Sequence, residues 1–433
     1  MTIEPPRPAF LTALDTAQSS YATRNPSSAK AYERATDHLP GGGTRSSIFI
    51  HPFPLFIEKG EGCELTDLDG HVYKDFVSDF TSGIYGKSNP LIREAIVTAL
   101  DNGLQLGAHS TSEAHLASLL CARFPSLDLV RFANSGTEAN ILAITTSLRY
   151  TKRKNVVVFE DGYHGSVLSH FELGGANDGG EHDMKVPFDY LVCPYNNILE
   201  TERLIKQHAA EIGAILVEPM LGAGGCIPGD VDFLRYLRRI ATEIDAVLIF
   251  DEVQTARLST GGRQKLLDII PDMTTLGKFF GGGFAFGAFG GKGDIMQMFD
   301  ARSPHAVSHG GTFNNSPLTM AAGAVAAEKI LTEEALAELN ALGDWLRDSV
   351  NEAFNSKSLP FKMTGLGSLN QIHCTLPSKL ASAGLTLLFY KLLEKGYWIA
   401  QRGLISLSFA ISREDVEGFV EAVIASAQEV AKL

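Results

Sequence analysis

Short, bounded apolar runs recur through the middle of the chain: Leu129–Phe132, Asn155–Phe159, Tyr190–Cys193, Ala214–Val217 and Ala246–Phe250. From about residue 90 onward, helical spacing fills the gaps between them. Runs of this kind alternating with helices are the rhythm of a mostly parallel sheet covered on both faces. The chain ends read differently. A helix-like stretch from Ser28 to His38 stops at Leu39-Pro40 and the glycines 41–43. Apolar runs at Leu55–Glu58, Cys63–Asp67 and His71–Phe76 follow, separated by Gly60-Glu61-Gly62 and Asp69-Gly70, which predicts antiparallel strands. Farther on, Pro317 to Leu331 and Ala335 to Phe354 predict long helices. Strands are expected at Gly367–Cys374 and Leu404–Phe409, and helices around Thr386–Lys395 and Glu414–Val430. The expected architecture is α/β. A large domain over 77–320 holds the mostly parallel sheet, and the segments 1–76 and 321–433 together build a smaller α+β domain.

Composition narrows the classes of function. With 433 residues and 45% hydrophobic content, the chain can bury a large core and divide into two domains. A formal charge of -13 argues against recruiting nucleic acid or anionic lipid by general electrostatics, so any anionic ligand must be held locally. The five cysteines (Cys63, Cys121, Cys193, Cys226, Cys374) are widely spaced and include no C-x-x-C pair, which suits a reducing compartment and predicts no metal site. The opening Met-Thr-Ile-Glu-Pro-Pro lacks a basic start followed by an apolar run, and no apolar stretch reaches the ~18 residues needed to span a bilayer. A cytoplasmic protein is expected, with no repeat or charged tail.

Open parallel sheets bind ligands at the carboxyl ends of their strands, so the residues after each apolar run carry the chemical interest. After Phe132 comes Ala133-Asn134-Ser135-Gly136-Thr137-Glu138-Ala139-Asn140, opening a helix. Small hydroxyl residues and a glycine at a helix start offer backbone N–H groups to a phosphate, although an ordinary Ser/Thr cap looks the same. After Phe159 comes Glu160-Asp161-Gly162-Tyr163-His164-Gly165, a turn pairing an aromatic ring with an imidazole. After Phe250 comes Asp251-Glu252-Val253-Gln254, with a carboxylate at the strand mouth that could equally form a turn. Finally, Lys278 stands among apolar and glycine neighbours in Thr274–Gly283. Burial there would keep its amine neutral and able to condense with an aldehyde. A nucleotide loop ending at Gly291-Lys292 fails, because Phe286 replaces the first glycine and Gly293 the hydroxyl residue. A phosphate nest, an aromatic plate, a strand-end carboxylate and one lysine are together the parts that hold pyridoxal phosphate.

The runs N-S-G-T-E-A-N, G-Y-H-G, V-E-P, L-I-F-D-E-V, T-T-L-G-K with its glycine tail, and G-G-T-F-N-N fall in an order that resembles the fold-type-I pyridoxal-phosphate enzymes. Specifically, they resemble class III aminotransferases, in the branch of glutamate-1-semialdehyde aminomutase and the β-amino-acid aminotransferases. The motifs span residues 41 to 409. That resemblance implies Lys278 as the Schiff-base lysine, Asp251 as partner of the pyridine nitrogen, and Ser135, Gly136 and Thr137 as phosphate binders. It implies Tyr163 and Val253 on the two ring faces and Gln254 at the ring hydroxyl, where the aminomutases often carry methionine. Thr312 resembles the threonine that completes the phosphate site of a neighbouring subunit, which implies a homodimer with its active site at the interface. Arg45, in Gly41-Gly42-Gly43-Thr44-Arg45-Ser46, and Arg402 resemble carboxylate-binding arginines, although both could be merely solvated. Phe80, Ile84 and Tyr85 match a stretch lining an apolar pocket, which an aromatic β-amino acid would fit. The implied reaction passes an amino group from such a donor to a 2-oxo acid, 2-oxoglutarate or pyruvate. An intramolecular aminomutase, an amine:pyruvate aminotransferase and a non-catalytic cofactor-sensing module stay as alternatives.

Overall fold

The computed structural model describes residues 8–170 and 184–433; the opening hexapeptide read above lies outside them. Strands β1 (Ile57–Glu61), β2 (Glu64–Asp67) and β3 (Val72–Asp75) come first in the chain. They are followed by β4 (Leu129–Ala133), β5 (Asn155–Phe159), β6 (Asp189–Cys193), β7 (Ile212–Val217), the short pair β8 (Met220–Leu221) and β9 (Ile227–Pro228), β10 (Val247–Asp251), β11 (Met273–Gly277) and β12 (Gly287–Gly291). The last are β13 (Phe361–Leu366), β14 (Leu369–Cys374), β15 (Tyr397–Trp398) and β16 (Leu404–Ser406). The chain divides into two units, one of residues 90–338 and one joining the residues up to 89 with 339–433.

The 90–338 unit is built on a seven-stranded sheet of order β4-β12-β11-β10-β7-β5-β6. Every pairing in it is parallel except the two made by β12, so six strands run one way and β12 alone runs back. Alternate residues serve opposite faces, as the two-residue strand period dictates. Val157, Phe159, Ile215, Val217, Leu248 and Phe250 pack with Phe233 and Leu237 of the helix Val231–Glu243. Val156, Val158, Leu216 and Ile249 pack with Ala139, Ala143 and Ile144 of the helix Gly136–Thr151. This double covering explains the uninterrupted apolar runs in the sequence.

Strand β12, second from one edge of the sheet, has no such run. It reads Gly-Ala-Phe-Gly-Gly, and the space around it demands that: a Cβ on Gly287 would fall 2.1 Å from the Ser135 carbonyl oxygen, and one on Gly291 would fall 2.3 Å from that of Asp272. The expected helix Pro317–Leu331 is an α-helix to Val325 and then a π-helical turn, Ala326–Ile330. Arg123 caps that turn, donating to the carbonyls of Ala327 and Leu331 at 2.8 Å each.

The other unit holds a four-stranded sheet, β1-β2-β3-β15, and a three-stranded antiparallel sheet, β13-β14-β16. Residues 76–89 join it by backbone bonds to the C-terminal segment: Ser406 N–H donates to the Phe76 carbonyl and Phe409 N–H to that of Ile84. A long N-terminal helix, Pro8–Arg24, precedes the expected one, which spans Pro26–Thr36. Among the described residues no helix is long and apolar enough to cross a membrane.

Candidate active site

Within the 90–338 unit, the carboxyl ends of β4, β5, β7, β10 and β11 carry the polar residues singled out above. Ser135 follows β4 and caps the helix Gly136–Thr151, its Oγ accepting from Glu138 N–H at 3.1 Å. The cap and an anion nest are therefore compatible: the hydroxyl takes the Glu138 N–H, while the N–H groups of Gly136 and Thr137 have no acceptor within the helix. Contacts at glycines show how closely the strand ends converge. A Cβ on Gly136 would lie 3.0 Å from Val253 after β10, and one on Gly277 at the end of β11 would lie 3.3 Å from Gly136 Cα. The Tyr163-His164-Gly165 turn closes on the same spot, since a Cβ on Gly165 would meet Thr137 Oγ1 at 2.1 Å.

Asp251 ends β10 and is only 4% exposed. Its Oδ2 meets His164 Nδ1 and accepts from Asn140 Nδ2, each at 2.8 Å, and its Oδ1 accepts from Val253 N–H at 2.9 Å. Three of about four lone-pair directions are thus filled, and one remains for a further N–H donor. Asn140 also donates to the His164 carbonyl at 3.0 Å and accepts from Thr275 Oγ1 at 2.7 Å. Helix, turn and two strands are tied to one carboxylate. Gln254 is buried beside Gly222, and among the described residues its Oε1 has no hydrogen-bond partner, which leaves an acceptor for a hydroxyl or N–H donor.

Lys278 follows β11 with φ of 54°, a left-handed backbone that a lysine seldom adopts. It is half-buried rather than fully enclosed, with the buried rings of Phe279 and Phe280 next in the chain. Lys292 of the rejected nucleotide loop is instead an ion-pair partner of Asp272 at 2.6 Å. Thr312 is exposed, in a loop pinned at both ends by Arg131 donating to His309 Nδ1 at 2.9 Å and by Asn134 donating to Asn314 at 2.8 Å.

Glu218, in the V-E-P run, follows β7 and is buried; no local sequence signal marks it as a site residue. It accepts from Tyr163 N–H at 2.9 Å and Gly222 N–H at 3.0 Å, holding both the aromatic turn and the neighbour of Gln254. Burial pushes its carboxyl up to about 7; nearby His164 pulls it down and Asp251 pushes it up again. An unfolded glutamate titrates near 4.3, so between roughly pH 4 and 7 the folded chain binds the extra proton and loses stability as pH rises. Glu218→Gln, with no proton to lose, should flatten that decline. Melting temperatures of the cofactor-free chain at pH 5.5 and 8 test this, and equal slopes for both proteins would refute it.

The arginines lie in the other unit. Arg45 Nη1 pairs with Asp79 Oδ1 at 2.6 Å, and both side chains are about half exposed. The guanidinium carbons of Arg45 and Arg402 lie 5.3 and 5.7 Å from the Phe80 ring centre, two cations on one ring. Ile84 and Tyr85 are buried.

Residues 49–425 match the family model described as Aminotransferase class-III. Over 419 residues the chain is 42% identical to the beta-phenylalanine transaminase of Variovorax paradoxus, covering 95% of each protein. It is 33% identical over 414 residues to a glutamate-1-semialdehyde 2,1-aminomutase of Methanosarcina acetivorans, covering 92% of this chain and 97% of the relative. The solved beta-phenylalanine aminotransferase of Variovorax paradoxus superposes with a TM-score of 0.93 at 41% identity, covering 98% and 99% of the two chains.

Proposed function

Because the chain belongs to the class-III aminotransferases, we propose that it transfers the amino group of an aromatic β-amino acid to a 2-oxo acid, with Lys278 as the lysine joined to pyridoxal phosphate. The family works with that cofactor, and the residues present suit it. Gln254 Oε1 offers an unused acceptor for the ring hydroxyl, Asp251 has one direction left for a ring N–H, and the start of the helix Gly136–Thr151 offers N–H donors to a phosphate. When bound, pyridoxal phosphate supplies an electron sink that makes the carbon bearing the amine acidic. Asp251 would keep the ring nitrogen protonated, and the amine of Lys278 would take the proton from the substrate carbon and return it during transfer. Tyr163 and Val253 would flank the ring, and Ser135, Gly136 and Thr137 would hold the phosphate.

The observation that carries the substrate reading is the Arg45–Phe80–Arg402 stack, which offers guanidinium forks for carboxylates next to an aromatic surface. The relationship to a beta-phenylalanine transaminase supports it. Arg45→Ala should raise KM for β-phenylalanine about 10- to 100-fold, the worth of a charged hydrogen-bonded pair. Mixing the loaded enzyme separately with β-phenylalanine, 1-phenylethylamine and glutamate 1-semialdehyde, and following the cofactor's absorption band, tests the class of donor. Fastest bleaching by the semialdehyde would favour the aminomutase reaction, and by the amine an amine:pyruvate reaction.

A homodimer is part of the same reading. Thr312 is exposed, and Phe313 (59% exposed) joins Leu104 and Leu106 around a cleft of about 690 Å³, an apolar surface suited to a second copy that receives the threonine. A cytoplasmic setting agrees with five cysteines that form no disulfide.

A further inference from the structure

Ser78, Asp79, Phe80 and Thr81 have φ of 48°, 47°, 51° and 82°, four successive non-glycine residues in the left-handed region. L-residues avoid runs of this conformation. The turn is held shut from several sides. Asp75 Oδ1 accepts from Val77 N–H (2.9 Å) and Ser78 N–H (3.0 Å), Gly83 N–H donates to Ser78 O (2.7 Å), and Ser78 Oγ donates to Ser406 O (2.9 Å). Strain enforced by this many partners points to a use for what the turn displays.

It displays Asp79 and Phe80. Asp79 Oδ2 accepts from Ser82 Oγ at 3.0 Å, which aims Oδ1 at Arg45 Nη1, 2.6 Å away. Phe80 lies against the same guanidinium and that of Arg402. Side-chain exposures of 45% for Arg45 and 54% for Asp79 leave the pair open to exchange with solutes. Any guest carboxylate that seeks Arg45 therefore meets a resident one already there.

We propose that Asp79 tunes the affinity of the site: an internal carboxylate that competes with substrate carboxylates for Arg45. This rests on the reading of Arg45 as a carboxylate grip. Two carboxylate-bearing substrates must use the enzyme in turn, and each product must leave before the next enters. Binding a ground state more tightly than needed does not accelerate turnover. A resident competitor lets Arg45 discriminate for a carboxylate while limiting how long any one is held.

The test is calorimetric binding of 3-phenylpropionate, an unreactive acid with a ring and a carboxylate, to the cofactor-loaded enzyme. Asp79→Asn keeps the left-handed backbone accessible, and Asp79→Gly relieves it altogether, so two variants lose the charge by different structural routes. Both should tighten Kd about 2- to 5-fold, the range of an exposed ion pair. Arg45→Ala should loosen Kd at least about 10-fold, and Asp79→Asn added to Arg45→Ala should change nothing more. Unchanged or looser binding in both Asp79 variants, with Arg45→Ala impaired, would overturn the competitor role and leave the Arg45 reading standing. No effect of Arg45→Ala would overturn both.

Discussion

Lys278→Ala is expected to lose at least about 10²–10⁴-fold in activity, the range attributed to a positioned acid–base group, with a further loss because the covalent tether is gone. The cofactor should still bind. The groups proposed to hold it, at the start of the helix Gly136–Thr151, at Asp251 and at Gln254, are supported by contacts that do not pass through the lysine side chain. The folded structure should survive as well, since Lys278 is only half-buried and the neighbouring rings of Phe279 and Phe280 stay in the core. The expected result is a folded protein that retains the cofactor but has a changed absorption band and almost no turnover. Borohydride reduction of the unaltered enzyme followed by peptide mapping supplies the complementary measurement. Full activity of the variant, or a tag on another lysine, would end the assignment.

Asp251→Ala should cost about 10²–10³-fold in the donor half-reaction, the scale seen when one preorganised electrostatic group is removed from a water-poor site. It also strips an acceptor from His164, Asn140 and the Val253 N–H at once. Leaving such buried donors unsatisfied costs about 1–3 kcal/mol, so the melting temperature should fall too. Asp251→Asn separates the two effects. Its amide preserves the shape and can still accept, but it carries no charge to hold a proton on the ring nitrogen. Its one oxygen can serve His164 and Asn140 or the Val253 N–H but not all three, so stability should be restored only in part while the rate stays low, and an Asn variant as fast as the parent would show that the charge is not what matters.

The parts of the fold legible in the sequence were those in which burial on both sides of a strand imposes continuous apolar character. Asn155–Phe159 and Ala214–Val217 are of this type, and the structure has strands over both. Strand β11 escaped because it reads Met-Thr-Thr-Leu-Gly, with Thr274 and Thr275 buried and hydrogen-bonded, and β12 because three of its residues are glycines. Polar residues after strands marked Asp251, Tyr163 and Lys278 as candidates. Asn140, Glu218 and Thr275 carried no comparable local signal. Their importance comes from meeting Asp251, Tyr163 or each other across elements far apart in sequence. The Arg45–Asp79 pair is similar: neither a glycine-rich loop nor an Asp-Phe dipeptide indicates that one will neutralise the other.

The bare backbone of β12 acts as a spacing gauge. It separates β4, which leads into the turn proposed to hold the phosphate, from β11, which leads into Lys278, and it keeps them only two strand widths apart. Any side chain at Gly287 would have to push the Ser135 carbonyl outward, widening the gap that a cofactor held as proposed would bridge between its phosphate and its aldehyde carbon. Efforts to broaden the substrate range of this scaffold therefore have freedom in the arginine-bearing loops but almost none in this glycine ribbon, whose tolerance is smaller than a methyl group.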